Sequence, residues 1–193
     1  MKIKNLAELK ITLVSIFVLI ASPIQAQDQA AQKEESIKLF VEASKVFQHP
    51  RCLNCHPAGD TPTQGNDLHK HIMNVQRGPD DHGKVGMRCN ACHGEMNNTY
   101  SNVPGAPKWA LAPKSMAWQG LTVSQLCQTL KDPKKNHGMT MEKFIEHNAK
   151  DPLVGWGWNP GAGRVPVPGT QKQFGELIAR WVATGAACPE AIK

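Results

Sequence analysis

Cys52-Leu53-Asn54-Cys55-His56 and Cys89-Asn90-Ala91-Cys92-His93 are two copies of one five-residue pattern, and their reading decides the fold. The spacing Cys-x-x-Cys-His is the attachment signature of a c-type haem. Two thiols one helical turn apart add across the two vinyl groups of a porphyrin, and the adjacent histidine lies beneath the iron as proximal ligand. Two copies predict two haems c, attached through Cys52, Cys55, Cys89 and Cys92, with His56 and His93 on the irons. The plainer use of paired Cys-x-x-Cys is a tetrahedral zinc site, with residues 56–88 as its loop. That loop is long for a compact zinc ribbon, and zinc gives no reason for a histidine after both pairs. A thioredoxin-like dithiol needs one redox pair in a βαβ setting, and no such pattern surrounds either motif.

The N-terminus points to export. Lys2, Lys4 and Lys10 precede or open an apolar run over residues 11–20, and Ile24-Gln25-Ala26 offers a small residue for cleavage, so residues 1–26 read as a secretory signal peptide. The run is short for a membrane span, and no later segment is apolar enough to cross a bilayer. Haem c is attached outside the cytoplasmic membrane in bacteria, so leader and motif both predict the periplasm. Residues 27–193 suit one domain with a modest core. The chain carries a net charge of +6, of which the leader takes its three lysines less Glu8. Four haem propionates offset much of the rest. No Lys/Arg stripe or aromatic platform accompanies the charge, so nucleic-acid binding is not predicted; a mildly basic face would suit an acidic redox partner.

Residues 32–48 carry Ile37, Phe40, Val41, Ala43 and Phe47 at helical spacing, which predicts an amphipathic helix leading into the first motif. Residues 57–120 are rich in Gly, Pro, Asn and Asp and predict irregular loops and short turns. Two covalently fixed porphyrins would supply the buried apolar surface that such a stretch lacks. Thr122 with Gln125, and Thr170 with Gln173, form capping-box patterns ahead of two further helices, with Gly185 stopping the second. A shorter helix over residues 141–150 ends before Pro152. The expected class is therefore mainly α with extensive irregular loops, a small dihaem cytochrome c-type domain. Cys127 and Cys188 remain, as a disulfide or as two buried thiols. Arg51 and Arg88, one before each motif, read equally as propionate partners or as exposed structural arginines.

The sixth ligand of each iron separates an electron carrier from an enzyme. Histidine and methionine are the main candidates, methionine giving the higher potential. His71, in the loop between the motifs, ranks first and His49 second, each weighed against an ordinary surface histidine. Met116 lies in a loop between Trp109 and Trp118, where ordinary packing against a haem is the alternative use. Trp156 and Trp158 read as walls of a haem pocket.

His49-Pro-Arg-Cys-Leu-Asn-Cys-His-Pro-Ala-Gly-Asp60, Met73-Asn-Val-Gln-Arg-Gly78, Gly86-Met-Arg-Cys89, Pro104-Gly-Ala-Pro107 and Asp151-Pro-Leu-Val-Gly-Trp-Gly-Trp-Asn-Pro-Gly161 span nearly all of the mature chain. Together they resemble a family of small exported proteins named isoquinoline 1-oxidoreductase subunits. The resemblance implies association with a molybdopterin dehydrogenase of the molybdenum hydroxylase type. The chain is too short to be the molybdopterin subunit. It is not an iron-sulfur subunit either, because two [2Fe-2S] clusters need about eight cysteines and only six are present. The resemblance thus implies a periplasmic dihaem electron acceptor or subunit. The alternative is a haem oxidoreductase acting on a small molecule at an iron with an open sixth position.

Overall fold

A computed structural model describes residues 23–191. The expected leader lies outside the described residues except for Pro23–Ala26, which open the first helix. In chain order the described elements are α1 (Pro23–Phe47), α2 (Pro50–Leu53), β1 (Thr63–Gln64), β2 (His69–Lys70), α3 (Val123–Lys131), α4 (Met141–Lys150), α5 (Pro152–Gly155) and α6 (Gln171–Ala183). The protein is thus mainly helical with much irregular structure, and residues 57–120 hold the short β1–β2 ladder, an isolated antiparallel bridge between Asn98 and Val103, and three-residue 3-10 turns.

Local chemistry sets the helix ends. Thr122 and Gln125 close a reciprocal capping box on α3, the hydroxyl taking the Gln125 amide and the Gln125 side chain taking the Thr122 amide. At α6 only half of the expected box forms. Thr170 caps the Gln173 amide, but the Gln173 side chain accepts from the Thr170 hydroxyl instead of from its backbone. The other end of α6 closes in a Schellman pattern, Gly185 at φ 100° donating to Val182 and Ala186 to Trp181. Helix α4 has the expected bounds. Helix α1 begins earlier than its apolar pattern, because Gln, Ala, Glu and Lys over residues 25–35 are good helix formers without needing a buried face.

The core lies where α1, α3, α4 and α6 meet. Ser36, Leu39, Phe40, Ala43, Ser44 and Phe47 recur three or four residues apart and form the buried stripe of α1. Val41, one step round the helix, is exposed. Phe40 packs on Trp181 of α6 with ring centroids 4.9 Å apart, and Phe47 meets Phe174 at 5.1 Å and Phe144 at 6.0 Å. Gly175 permits the close approach of α4 to α6: a Cβ there would meet the Ala149 Cβ at 2.4 Å. The Ser36 hydroxyl ties α1 to the chain's end, donating to the Trp181 carbonyl and accepting from the Ala187 amide.

Cys127 and Cys188 form a disulfide, with Cα atoms 5.6 Å apart, across 61 residues. Of the two readings left open by the sequence, the crosslink is the one found. Closing a loop of that size removes denatured-state entropy worth up to about 4 kcal/mol. The Cys127→Ala, Cys188→Ala variant is expected to lose stability of that order in a denaturant titration; a loss below about 1 kcal/mol would show that the core holds the chain's end unaided.

Candidate functional site

The two motifs share one local conformation. In the first, Pro50 starts α2 at the position where its missing N–H costs nothing, and the amides of Cys55 and His56 donate to the Cys52 carbonyl. In the second, a 3-10 turn over Cys89–Ala91 has the Cys92 and His93 amides donating to the Cys89 carbonyl. Residues three and four apart on such a turn share a face, so each histidine sits beside its pair of thiols. All four cysteines are free.

The motifs open on two adjoining cavities. Cys52, Cys55 and His56 line one of about 220 Å³, which is an opening in the helical core because Phe47, Phe144 and Phe174 also line it. Cys89, Cys92, His93 and His71 line the other, of about 460 Å³, built largely from loops. Cys55, Ala110, Leu111 and Trp156 line both, so the wall between the cavities is a single layer of side chains. The expected roles of Trp156 and Trp158 as pocket walls agree with this placement.

One loop braces both histidines. The His56 Nδ1–H donates to the Met116 carbonyl at 2.7 Å, and the ring lies flat on Trp118 with centroids 3.3 Å apart. The His93 Nδ1–H donates to the Pro104 carbonyl at 2.7 Å, and that ring lies flat on Trp109 at 4.6 Å. A carbonyl can only accept, so the proton of each ring sits on Nδ1 and the Nε2 lone pair is left for another partner. This is the arrangement by which a metal-bound imidazole is fixed in tautomer and orientation. Burial lowers the pKa of both rings and holds His56 down to about 3, so His56 is neutral at physiological pH. Burial also pushes the Cys52 thiol up to about 12 and the Cys55 thiol to about 11. Such uncharged thiols are poor zinc ligands and poor dithiol nucleophiles. Among the described residues no three His, Cys, Asp or Glu side chains converge as a metal ion held by protein alone requires.

His71 stands across the larger cavity from His93, with ring centroids 6.1 Å apart, and its own Nδ1–H donates to the Ile72 carbonyl. Two imidazoles bound to one metal through nitrogens at roughly 2.0–2.1 Å have ring centres about 6 Å apart, which matches. Met116 lies on the other cavity's proximal side, since its carbonyl holds His56. His49 lines neither cavity; its Nδ1 accepts from the Arg51 amide and caps α2.

Arg51 tests whether the cavities suit a haem. Its side chain lines the smaller cavity and the residue is 2% exposed. Nη2 donates to the Gly65 carbonyl and to Asn66, while Nε and Nη1 are buried with no hydrogen-bond partner. No carboxylate among the described residues pairs with it. An unpaired buried guanidinium is costly, so the site calls for an anion. Arg164, which lines the larger cavity, donates only to Asn102 and to backbone carbonyls, and its charge reaches Arg51. A haem in each cavity would supply the missing carboxylates as propionates. Arg88 differs, being partly exposed and already paired with Asp80 at 2.8 Å.

Arg77 and the two bracing tryptophans are functional supports that the motifs did not reveal. Arg77 is buried and pins the bracing loop through Asp81 at 2.7 Å and the Ala112 carbonyl. No family model matches this chain, and neither a curated protein nor a solved structure is found to be similar to it.

Proposed function

We propose that the protein is a periplasmic dihaem c-type cytochrome that transfers electrons, attached to its haems through Cys52 with Cys55 and Cys89 with Cys92. The observation that carries this reading is the repeated brace: in both motifs the histidine beside the thiols is fixed through Nδ1 to a carbonyl and stacked on a tryptophan, its Nε2 left free. A dithiol site has no use for that arrangement, and a zinc site would need thiolates, which the burial of Cys52 and Cys55 opposes. When bound, each haem supplies a one-electron ferric/ferrous couple. The chain does the rest. His56 and His93 hold the irons, Arg51 and Arg164 receive propionates, and the core around Phe47 keeps water from the first site. The shared wall at Trp156 keeps the two centres within one side-chain layer of each other, which suits rapid exchange of an electron between them.

His71 would be the second protein ligand of a haem iron held by His93, which would leave that iron no vacancy for a substrate. This favours electron transfer over the oxidoreductase alternative. The donor is a redox protein, in keeping with the resemblance a molybdopterin dehydrogenase, and the chain takes its electrons one at a time and passes them on to an acceptor. Among the described residues no helix is long and apolar enough to cross a membrane.

Optical spectra of protein matured with haem-attachment machinery test the reading. The ferrous form is expected to show low-spin c-type bands and to remain unchanged under carbon monoxide. A high-spin iron that binds carbon monoxide at the second site would turn the assignment towards small-molecule catalysis, and a colourless protein would refute both.

A further inference from the structure

The smaller cavity holds a histidine whose place in the chain does not set it apart from the other histidines. His147 is on α4, in register with Phe144 and Asn148, which are 1% and 4% exposed, and all three line the cavity that contains His56. Its side chain is 36% exposed, at the rim of the cavity, with Nδ1 directed at Asp151 Oδ2, 3.5 Å away, so its Nε2 is the nitrogen left for the cavity. Asp151 is itself anchored: its other oxygen caps α5 by accepting from the Leu153 and Val154 amides.

The arrangement parallels that of the other cavity. Each cavity holds a second histidine together with its braced one, His71 with His93, their ring centroids 6.1 Å apart, and His147 with His56. Each of these second rings has its Nδ1 turned to an oxygen, the Ile72 carbonyl for His71 and the Asp151 carboxylate for His147. His137 and Met139 also line the smaller cavity. His137 belongs to the turn before α4, at a φ of 62°, whereas the ring of His147 is oriented by Asp151.

We propose that His147 is the sixth ligand of the iron held by His56, with Asp151 as the group that positions its ring. The assignment rests on the dihaem reading and deepens it: with His71 at the second site, both irons are closed by two histidines. A carboxylate at Nδ1 makes an imidazole a stronger donor than a carbonyl does, so the two irons differ in potential although their ligands are the same. The first, facing Asp151, is the lower in potential on this account, and burial of Arg51 beside it works in the opposite direction.

The test uses the exported, haem-loaded chain, with haem content measured first. His147→Ala is expected to turn one of two low-spin signals in the paramagnetic resonance spectrum high-spin and to bind one more carbon monoxide per molecule than the parent. Added imidazole is expected to reverse both changes, which it would not do for a general loss of structure. Asp151→Asn keeps the α5 cap, since Asn caps as well as Asp, and is expected to raise the potential of one haem and leave the other. His137→Ala and Met139→Ala are expected to leave the spin states alone. Two attached haems with an unaltered spectrum in His147→Ala, or a spin change in His137→Ala or Met139→Ala instead, overturns the assignment and leaves the dihaem reading standing. Absence of attached haem overturns that reading itself.

Discussion

The Cys52→Ala, Cys55→Ala variant is expected to leave the cell with one haem instead of two and to lose up to about 5 kcal/mol of stability. The estimate follows from the void: the cavity at the first motif is about 220 Å³, and unfilled core space costs about 24 cal/mol per Å³. Phe47, Phe144 and Phe174 line that space and also form the helical core, so they have no other partner to close upon. The Cys89→Ala, Cys92→Ala variant is expected to lose less, although its cavity is larger. His69, His71, Asn102 and Arg164 line that space, and water can satisfy them when the haem is gone. Denaturant titrations of both double variants compare the two sites. A greater loss at the second motif would mean that the loops, and not the aromatic cluster, depend on the cofactor.

Arg51→Met is expected to change stability in opposite directions in the two forms of the chain. Loaded with haem, the variant loses about 3–5 kcal/mol, the cost of removing one partner from a buried ion pair. In the Cys52→Ala, Cys55→Ala background the same change is neutral or stabilising, because it removes a buried guanidinium that has two orphaned nitrogens and no carboxylate. The double-mutant cycle formed by these variants isolates the coupling between Arg51 and the cofactor. Equal losses in both forms would assign Arg51's role to its bonds with Gly65 and Asn66 alone.

Much of the helical framework could be read locally. Thr122 with Gln125 marks a helix start through contacts three residues apart, the bounds of α4 follow from its apolar spacing and Pro152, and Gly185 ends α6 because the chain there needs a positive φ. The two motifs are equally local, and each folds as the single turn that its spacing describes. What was hidden depends on distant segments meeting. Arg51 reads equally as a propionate partner or as an exposed arginine until residues 65 and 66 fold over it. Trp109 and Trp118 become braces only because the loop carrying them passes beneath both histidines. His147 comes near His56 through the packing of α4 on α6, to which Gly175 and Ala149 contribute a contact that no spacing rule describes. His49, in contrast, is close to Cys52 in sequence and is occupied as a helix cap, so proximity along the chain was a poor guide to proximity in space.

Intact mass measurement of the exported protein under denaturing conditions tests the central claim most directly. Thioether bonds survive unfolding, so the polypeptide is expected to carry the added mass of two haems, falling by one haem in each double-cysteine variant. A parent chain at the bare polypeptide mass, with its four thiols outside the disulfide open to alkylation, would contradict the account.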